Sequence, residues 1–347
     1  MLNGLDLQLL ATLAYSAQFN FPLTLNETRH KLLSLEAVND LAEGEGELGD
    51  LLDDLVKADN SEIVSVDDVE KRLAKLMKWG LVKQQSGFYF LKTRQENAVA
   101  TREQKAVAST ALRRGLVKLV GLALDMRWVR AVGVTGSVAV DGAAEQDDTD
   151  LLLVTANNRL WLVRAAILFY ALLLGKKAWP WQRRKSAWCF NLWLEEDVLK
   201  LPTKQHSLYG ALESRQIFWL LDKSMYQQRF FQENAWLGRY LASYNNSGLV
   251  DVAGANVTLQ KTQRILPDKS VNSGLLQTLF SRILSGINLV CYLTARRHLH
   301  QKNAIPLGNL QPHQAFLHDD VSFKQYLDRC RDHLLQVIVP LRKGTRS

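Results

Sequence analysis

The chain has 347 residues, 47% of them hydrophobic and 22% charged, which argues for two or three folded domains and against wholesale disorder. Lysine and arginine outnumber aspartate and glutamate by 43 to 35, which favours anionic partners such as nucleotides or nucleic acid without selecting one. The three cysteines are far apart and form no C-x-x-C pair, which argues against a disulfide framework or zinc site and indicates a reduced, cytoplasmic protein.

The first 95 residues have the pattern of a winged helix. Ser65 and Asp68 form a capping box ahead of apolar residues at helical spacing, and Gly80 ends that helix. Two short strands separated by a turn follow within residues 81–91. Helix, stop and hairpin together predict a winged helix-turn-helix domain over residues 1–95.

A basic stripe runs along the helix that follows Ser65. Lys71, Lys75 and Lys78 recur at helical spacing opposite the apolar face, as they would on a DNA recognition helix. A solvated face, or a winged domain used for protein contacts, explains the same pattern, so both interpretations stay open.

The remaining elements alternate between helices and strands before the chain becomes helical. Strands are predicted over residues 129–134, 149–155 and 187–194. Helices are predicted over residues 5–17, 95–125, 159–174, 208–221, 227–244, 275–300 and 321–337. Residues 43–54 are expected to form a surface loop or a charged helix start, and residues 248–274 a loop. The apolar run 165–174 is cut short by Arg164, so it predicts a buried helix or a membrane-surface contact, and no transmembrane segment is expected.

The most informative stretch begins where the strand over residues 129–134 ends. Gly136 and Ser137 then open a short helix, where glycine allows a ligand to approach the backbone closely. Free N–H groups at a helix start suit a phosphate, and the Ser137 hydroxyl adds a donor. The turn therefore predicts a phosphate contact.

Two acidic residues follow this turn at the start of the next strand. Asp148 and Asp150 are separated by Thr149, and side chains at positions i and i+2 of a strand share one face. Two adjacent carboxylates suit Mg²⁺, which proteins hold with one or two carboxylates and substrate phosphates. Asp147 points to the other side and is expected to be a supporting or solvated residue.

Gly136-Ser137, ten residues, and then Asp148-Thr149-Asp150 resembles the DNA polymerase beta-type nucleotidyltransferase superfamily, in particular its minimal nucleotidyltransferase branch. Phe21-Pro22-Leu23-Thr24 and the segment from Cys189 to Leu194 are similar to a group of prokaryotic proteins with a winged helix ahead of such a domain. The resemblance implies that Gly136 and Ser137 hold the triphosphate of an NTP such as ATP. It also implies that Asp148 and Asp150 bind Mg²⁺ or Mn²⁺.

The family's third acid lies on a following strand that faces the first two acids. In this chain Cys189, Asn191 and Trp193 share one face of that strand, so Asn191 is the candidate for the third catalytic position. An amide offers a carbonyl oxygen but cannot act as a general base, which departs from the family's pattern. Glu195 or Glu196, at the end of the strand, is the alternative acid.

Arg159 and Arg164 open the helix that follows the Asp-x-Asp strand. They are candidates for nucleotide binding because a guanidinium is always charged and matches phosphate geometry. Pairing with surface carboxylates is an equal alternative.

These observations predict an α+β protein in three parts: a winged helix over 1–95, a small mixed-sheet nucleotidyltransferase core over 96–200, and a helical C-terminal domain over 201–347. The expected activity is transfer of a nucleoside monophosphate from an NTP to an acceptor hydroxyl on RNA, a protein or a small molecule. The alternative is a catalytically weak or inactive nucleotide sensor whose winged helix binds DNA or protein. Formation of a homo-oligomer is left open.

Overall fold

The computed structural model describes residues 2–42, 64–93, 97–176, 187–244, 275–317 and 324–344. The segments 43–54 and 248–274 lie outside these ranges, and the helix that follows the second segment begins at Leu275. Helices and strands are combined as an α+β protein, as the sequence predicts, with one three-stranded and one five-stranded sheet among the described residues.

The N-terminal region contains a small antiparallel sheet covered by helices. Capping boxes at Asn3, Thr24 and Ser65 begin three of these helices, because each side chain satisfies a free backbone N–H of the first turn. The strand order is β1-β3-β2, and the helix after Ser65 and the hairpin behind it match the prediction. The elements are α1 Gly4–Ala17, β1 Leu23–Thr24, α2 Leu25–His30, α3 Leu35–Ala42, α4 Val66–Lys78, β2 Val82–Gln85 and β3 Phe88–Leu91.

Two helices connect this region to the larger sheet. The sequence predicts one continuous helix, but the structure divides it into α5 Ala98–Arg114 and α6 Val117–Asp125. The break falls at Gly115, whose helix propensity is low, and it allows the following Leu116 to be fully buried.

The larger sheet has the strand order β7-β4-β5-β6-β8. The pair β5 and β6 is parallel, whereas the other neighbouring strands are antiparallel. A short helix α7 joins β4 to β5, and the longer helix α8 joins β5 to β6. The bounds are β4 Val129–Thr135, α7 Gly136–Ala139, β5 Thr149–Thr155, α8 Leu160–Leu173, β6 Trp188–Glu195, β7 Phe218–Asp222 and β8 Gln314–Phe316.

Strand β5 is the middle strand of the larger sheet and is buried on both faces. Leu151 and Leu153 pack into a core with α6 and α8 on one side of the sheet. Leu152 and Val154 pack into a second core on the other side, which includes the N-terminal helices. Because side chains alternate along a strand, Asp150 lies on the same side as Leu152 and Val154.

The prediction that everything after residue 201 is helical was wrong. The structure has α9 Leu208–Arg215, which ends before β7, so the predicted helix over 208–221 is half helix and half strand. A short apolar run fits either state, and here pairing with β4 decides it. Gly133 of β4 makes room for this arrangement, because a Cβ there would lie 2.7 Å from Ile217 Cγ2.

The last two helices pack into the two hydrophobic cores, one on each side of the larger sheet. Helix α10 Tyr226–Glu233 ends earlier than the helix predicted over 227–244 and is followed by a 3₁₀ helix at Ala235–Arg239. Further along the chain come α11 Leu275–Asn303 and α12 Lys324–Gly344. Helix α12 packs against α1, and its buried Cys330 lies 3.8 Å from the carbonyl oxygen of Ala11. Strands β7 and β8, which lie beyond residue 200, pair with β4 and β6, so the larger sheet extends across the predicted boundary at residue 200.

Candidate functional site

The turn after β4 has a backbone conformation that favours glycine. Gly136 has φ +64°, in the left-handed region, and the serine that follows is exposed to solvent. A Cβ at Gly136 would lie 2.7 Å from Asp150 Oδ2. The glycine therefore serves two purposes, since it adopts the turn and lets a carboxylate lie directly against the backbone.

The two aspartates come together at this turn, as the sequence predicts. Asp150 is the second residue of β5 and pairs across the sheet with Thr135, the residue before the turn. Asp148 lies close enough for its charge to raise the pKa of Asp150. Thr149, between them, is buried on the opposite side.

The start of β6 holds the side chain of Asp148. Its Oδ1 accepts the backbone N–H of Ala187 at 2.8 Å, and its Oδ2 lies 3.5 Å from the Sγ of Cys189. The side chain is otherwise exposed. The carboxylate of Asp147 accepts the N–H of Ala144 at 2.8 Å within its own loop, and its charge makes only the smallest contribution to the raised pKa of Asp150.

Asn191 lies beside Asp150, and its amide Nδ2 donates a hydrogen bond to Asp150 Oδ1. The pairing of β5 with β6 is irregular here, because Leu151 lies opposite Phe190 whereas Leu152 lies opposite Leu192. Because of the extra residue at 191, the side chains after it point to the opposite face of the sheet from the one that strict alternation would give them. Trp193 therefore points into the other core, and the prediction that it shares a face with Asn191 was wrong.

Glu213 is a third acid at the site, and the sequence interpretation missed it. It comes from α9, on a different element from the other acids, and its carboxylate accepts the backbone N–H of Gly136. Its side chain is partly buried. No spacing or motif marks this residue, since it is one glutamate on a short helix that was assigned to the C-terminal core.

The carboxylates of these acids are partly buried and repel one another. Burial, and then the charge of Asp148, raise the pKa of Asp150 from 3.8 to about 6, although the Asn191 amide opposes the shift. Burial and the charge of Asp150 raise the pKa of Glu213 to about 7, against the opposing Gly136 N–H and Lys31. A cation bound between the carboxylates would relieve this repulsion.

The N-terminal region forms one wall of the site. The ring of Phe21 lies against Gly142, because a Cβ there would be 3.1 Å from its Cε2. The ammonium of Lys31 lies 4.8 Å from the centre of the same ring and interacts electrostatically with Glu213. Burial lowers the pKa of Lys31 to about 8. The wall thus brings a cation towards the acids.

Tyr209 lies close enough to the acids for their charges to act on its hydroxyl. Its ring stacks on Tyr326 with centroids 5.2 Å apart and planes 20° from parallel. Burial and then the charge of Glu213 raise the pKa of the Tyr209 hydroxyl, with a smaller contribution from Asp150. The phenol therefore stays protonated beside the acids.

The structure does not bring Arg159 and Arg164 to this site, so their assignment to nucleotide binding is corrected. Strand β5 runs away from Asp150 for roughly 17 Å, and α8 begins beyond its far end. Arg159 donates to Ser285 Oγ and Ser281 Oγ, both at 3.0 Å. Arg164 lies over the ring of Trp161 at 5.6 Å, and burial lowers its pKa to about 10.

Glu195 and Glu196 are also remote from the acids, so neither replaces a third acid on β6. Glu195 is 1% exposed and accepts the N–H groups of Arg159 and Leu160 at 3.1 and 3.3 Å, which caps α8. Glu196 pairs with Arg130 at 2.9 Å. Both carboxylates have structural partners at the far end of the sheet.

The donor set fits a metal ion only in part. In the parts of the chain that the structure describes, no three His, Cys, Asp or Glu side chains converge to hold an ion. Asp148 and Asp150 provide two hard oxygen donors, and Mg²⁺ commonly takes its remaining ligands from water and substrate phosphates. The site therefore suits a metal shared with a nucleotide better than a metal held by protein alone.

Comparisons with protein-family models, with curated proteins and with solved structures found no match to this chain. The resemblance carried by the Gly-Ser turn and the Asp-x-Asp motif therefore stays a prediction.

Proposed function

We propose that the chain is a nucleotidyltransferase-like protein that transfers a nucleoside monophosphate from an NTP such as ATP to an acceptor hydroxyl. The observation that carries the proposal is the contact between Gly136 and the Asp150 carboxylate, with Asp148 beside it. A nucleotide needs such a place, where backbone approaches closely and carboxylates can share a metal with phosphates. An intracellular location, which supplies NTPs and keeps cysteines reduced, is part of the proposal.

In the proposed reaction the acceptor hydroxyl loses its proton to solvent, its oxygen attacks the α-phosphorus, the bond to the bridging α–β oxygen breaks, and pyrophosphate leaves. Mg²⁺ or Mn²⁺ would be held by Asp148 and Asp150, and when bound it supplies charge neutralisation of the phosphates. The exposed Ser137 provides a hydroxyl donor beside the turn, whereas the N–H of Gly136 is already donated to Glu213. We therefore assign the phosphate contact to Ser137 and the role of close approach to Gly136.

A second candidate function is nucleotide binding without turnover. The observation that favours it is the hydrogen bond from Asn191 Nδ2 to Asp150 Oδ1. An amide at this position orients the aspartate but cannot accept the proton of the acceptor hydroxyl. A protein of this kind would sense the nucleotide, and its winged helix would pass the signal to DNA or to a protein.

The winged region supports a macromolecular partner for either function. Lys71 and Lys78 are exposed on α4, and the ammonium of Lys75 lies 4.4 Å from the ring centre of Trp79. This surface is basic at the position of a recognition helix. Nucleic acid is therefore one proposed acceptor or partner, beside a protein or a small molecule.

The two candidates separate in one experiment. Purified protein is incubated with radiolabelled NTPs, Mg²⁺ or Mn²⁺, and a cell extract that supplies acceptors. Label transfer that is lost in Asp148→Asn and Asp150→Asn but kept in Asp147→Asn supports the transferase. The control is matched, because Asp147 belongs to the same acidic run but bonds only within its loop among the described contacts.

Binding is measured in parallel by titration calorimetry with a non-hydrolysable ATP analogue. Saturable, metal-dependent binding without label transfer supports the sensor. If no NTP binds and no label is transferred with either metal, both candidates are wrong.

A further inference from the structure

The outer face of α11 is apolar and exposed. Six large apolar side chains recur at helical spacing along it, and between 43% and 60% of each is accessible to solvent. They are Leu279, Phe280, Ile283, Ile287, Val290 and Leu293. The stripe is roughly 20 Å long at 1.5 Å per residue, which is unusual for a surface that stays in water.

The opposite face of α11 is fixed to the protein by polar contacts. Asn288 Oδ1 accepts the N–H of Leu162 in the first turn of α8 at 2.9 Å. The Tyr292 ring lies 5.3 Å from that of Trp161, and its hydroxyl donates to the carbonyl of Leu310 at 3.3 Å. Ser281 and Ser285 accept from Arg159, as described above. The helix is therefore held lengthwise on the body of the protein.

The apolar surface continues onto α8, the neighbour of α11. Phe169 is 63% exposed and Leu173 is 69% exposed, and the adjoining Ala165 and Ala166 are also exposed. Both helices cover the side of the sheet that bears Leu151 and Leu153. The outer faces of these two contacting helices thus present apolar side chains on the side of the sheet opposite Asp150.

The two helices carry positively charged side chains and no carboxylates. Helix α11 carries four lysine and arginine residues and has no aspartate or glutamate, and α8 contains one arginine and no acid. Arg282 and Arg297 are exposed beside the apolar stripe. A complementary partner is therefore both apolar and anionic. A second copy would bring together two acid-free helices with no carboxylate to pair with their arginines.

By length and composition, Thr278–Asn303 would be apolar enough to cross a membrane. Crossing would break the contacts of Asn288, Tyr292 and the two serines with the body of the protein. An amphipathic helix that keeps one face anchored is suited to lie in the plane of a membrane surface.

We propose that α8 and α11 together bind the surface of an anionic phospholipid membrane. The exposed apolar side chains enter the boundary between headgroups and acyl chains, and Arg282 and Arg297 contact the lipid phosphates. The proposal does not depend on the nucleotide site, which lies on the other side of the sheet.

The test is co-sedimentation of the full-length protein with vesicles of phosphatidylcholine alone and of phosphatidylcholine with phosphatidylglycerol. Wild-type protein is expected to bind the anionic vesicles and to dissociate from them at high salt. The double substitution Ile283→Glu and Ile287→Glu is expected to weaken binding at least about tenfold, because it places two charges in the inserted face. Arg297→Gln is expected to weaken it about fivefold.

Val107→Glu is the matched control, because Val107 is a 74% exposed apolar residue on α5, and its binding should equal that of wild type. Thermal unfolding by circular dichroism checks that each variant is folded, and Ile287→Gln is the milder replacement if the double variant is not. Equal vesicle binding by folded wild type and the apolar-face variants would overturn the proposal. A dimer in sedimentation analysis that these variants dissociate, without vesicle binding, would overturn it in favour of a second copy, and a monomer that binds no vesicle would overturn it outright.

Discussion

Replacing Asp150 by asparagine is expected to stabilise the folded protein at neutral pH, although it removes a candidate metal ligand. The pKa of Asp150 is raised from 3.8 to about 6 by burial and by Asp148. The folded state therefore binds this proton more tightly than the unfolded state. The stability that comes from the proton is present below pH of about 4 and is lost as the pH rises through about 6.

The magnitude follows from the same shift. About two pKa units correspond to about 3 kcal/mol at 1.36 kcal/mol per unit. Asp150 is partly exposed, so solvent screening reduces the expected gain to on the order of 1–2 kcal/mol above pH 6. Asparagine carries no charge and still offers an oxygen to the amide of Asn191, so the local packing is retained.

The assay is urea unfolding followed by circular dichroism at pH 4 and at pH 7.5, without divalent ions. Asp150→Asn should unfold at higher urea than wild type at pH 7.5 and at nearly the same urea at pH 4. Asp147→Asn should shift the midpoint at pH 7.5 much less, because the charge of Asp147 is the smallest of the contributions to the pKa of Asp150. Added Mg²⁺ and ATP should stabilise wild type and leave the Asp150 variant unchanged. A variant that is less stable at pH 7.5, or whose gain does not depend on pH, would refute the reasoning.

Three further predictions concern single contacts. Gly136→Ala should destabilise the protein by about 2 kcal/mol in urea unfolding, because its φ is positive and the added Cβ would clash with Asp150 Oδ2. An unchanged unfolding midpoint would contradict this geometry of the turn. Glu195→Ala should cost about 3 kcal/mol, because two buried N–H groups of α8 lose their acceptor, whereas the exposed Asp197→Ala should cost under about 0.5 kcal/mol. Lys31→Met should weaken ATP binding about fivefold in calorimetry and leave adenosine binding unaltered, and equal losses for both ligands would show that the lysine does not act on phosphate.

Local patterns gave the parts of the fold that depend on neighbouring residues. The capping box of Ser65 and Asp68 predicts a helix start because both bonds form within four residues, and the structure has them. The apolar run of β5 predicts a central strand, and the two aspartates at its start converge because of the two-residue period of a strand. The turn at Gly136 lies beside Asp150 because β4 and β5 pair antiparallel, with Thr135 opposite Asp150.

The features that the sequence could not predict depend on residues distant along the chain. Glu213 reaches Gly136 only because α9 packs across the end of the sheet, and no spacing encodes that contact. The strand after Ile217 forms because β4 has an open edge, which a single-sequence pattern does not reveal. The bulge at Asn191 reverses a face that the strand period alone would keep.

Arg159 illustrates the opposite case, because residues that are close along the chain need not be close in space. It follows the Asp-x-Asp strand directly, but a strand carries the chain away from its own beginning. The cation that lies near the acids comes instead from Lys31, more than a hundred residues earlier.

The alternation along β5 also restricts how its length can change. Leu151 and Leu153 face the helical side, whereas Asp150, Leu152 and Val154 face the side of the acids. Deleting one residue within this strand would turn the side chains that precede the deletion to the opposite face of the sheet. A carboxylate would then be buried in the hydrophobic core that contains Trp161. Insertions or deletions inside β5 should therefore be tolerated only when they change its length by two residues, whereas the connecting loops can change length by any number of residues.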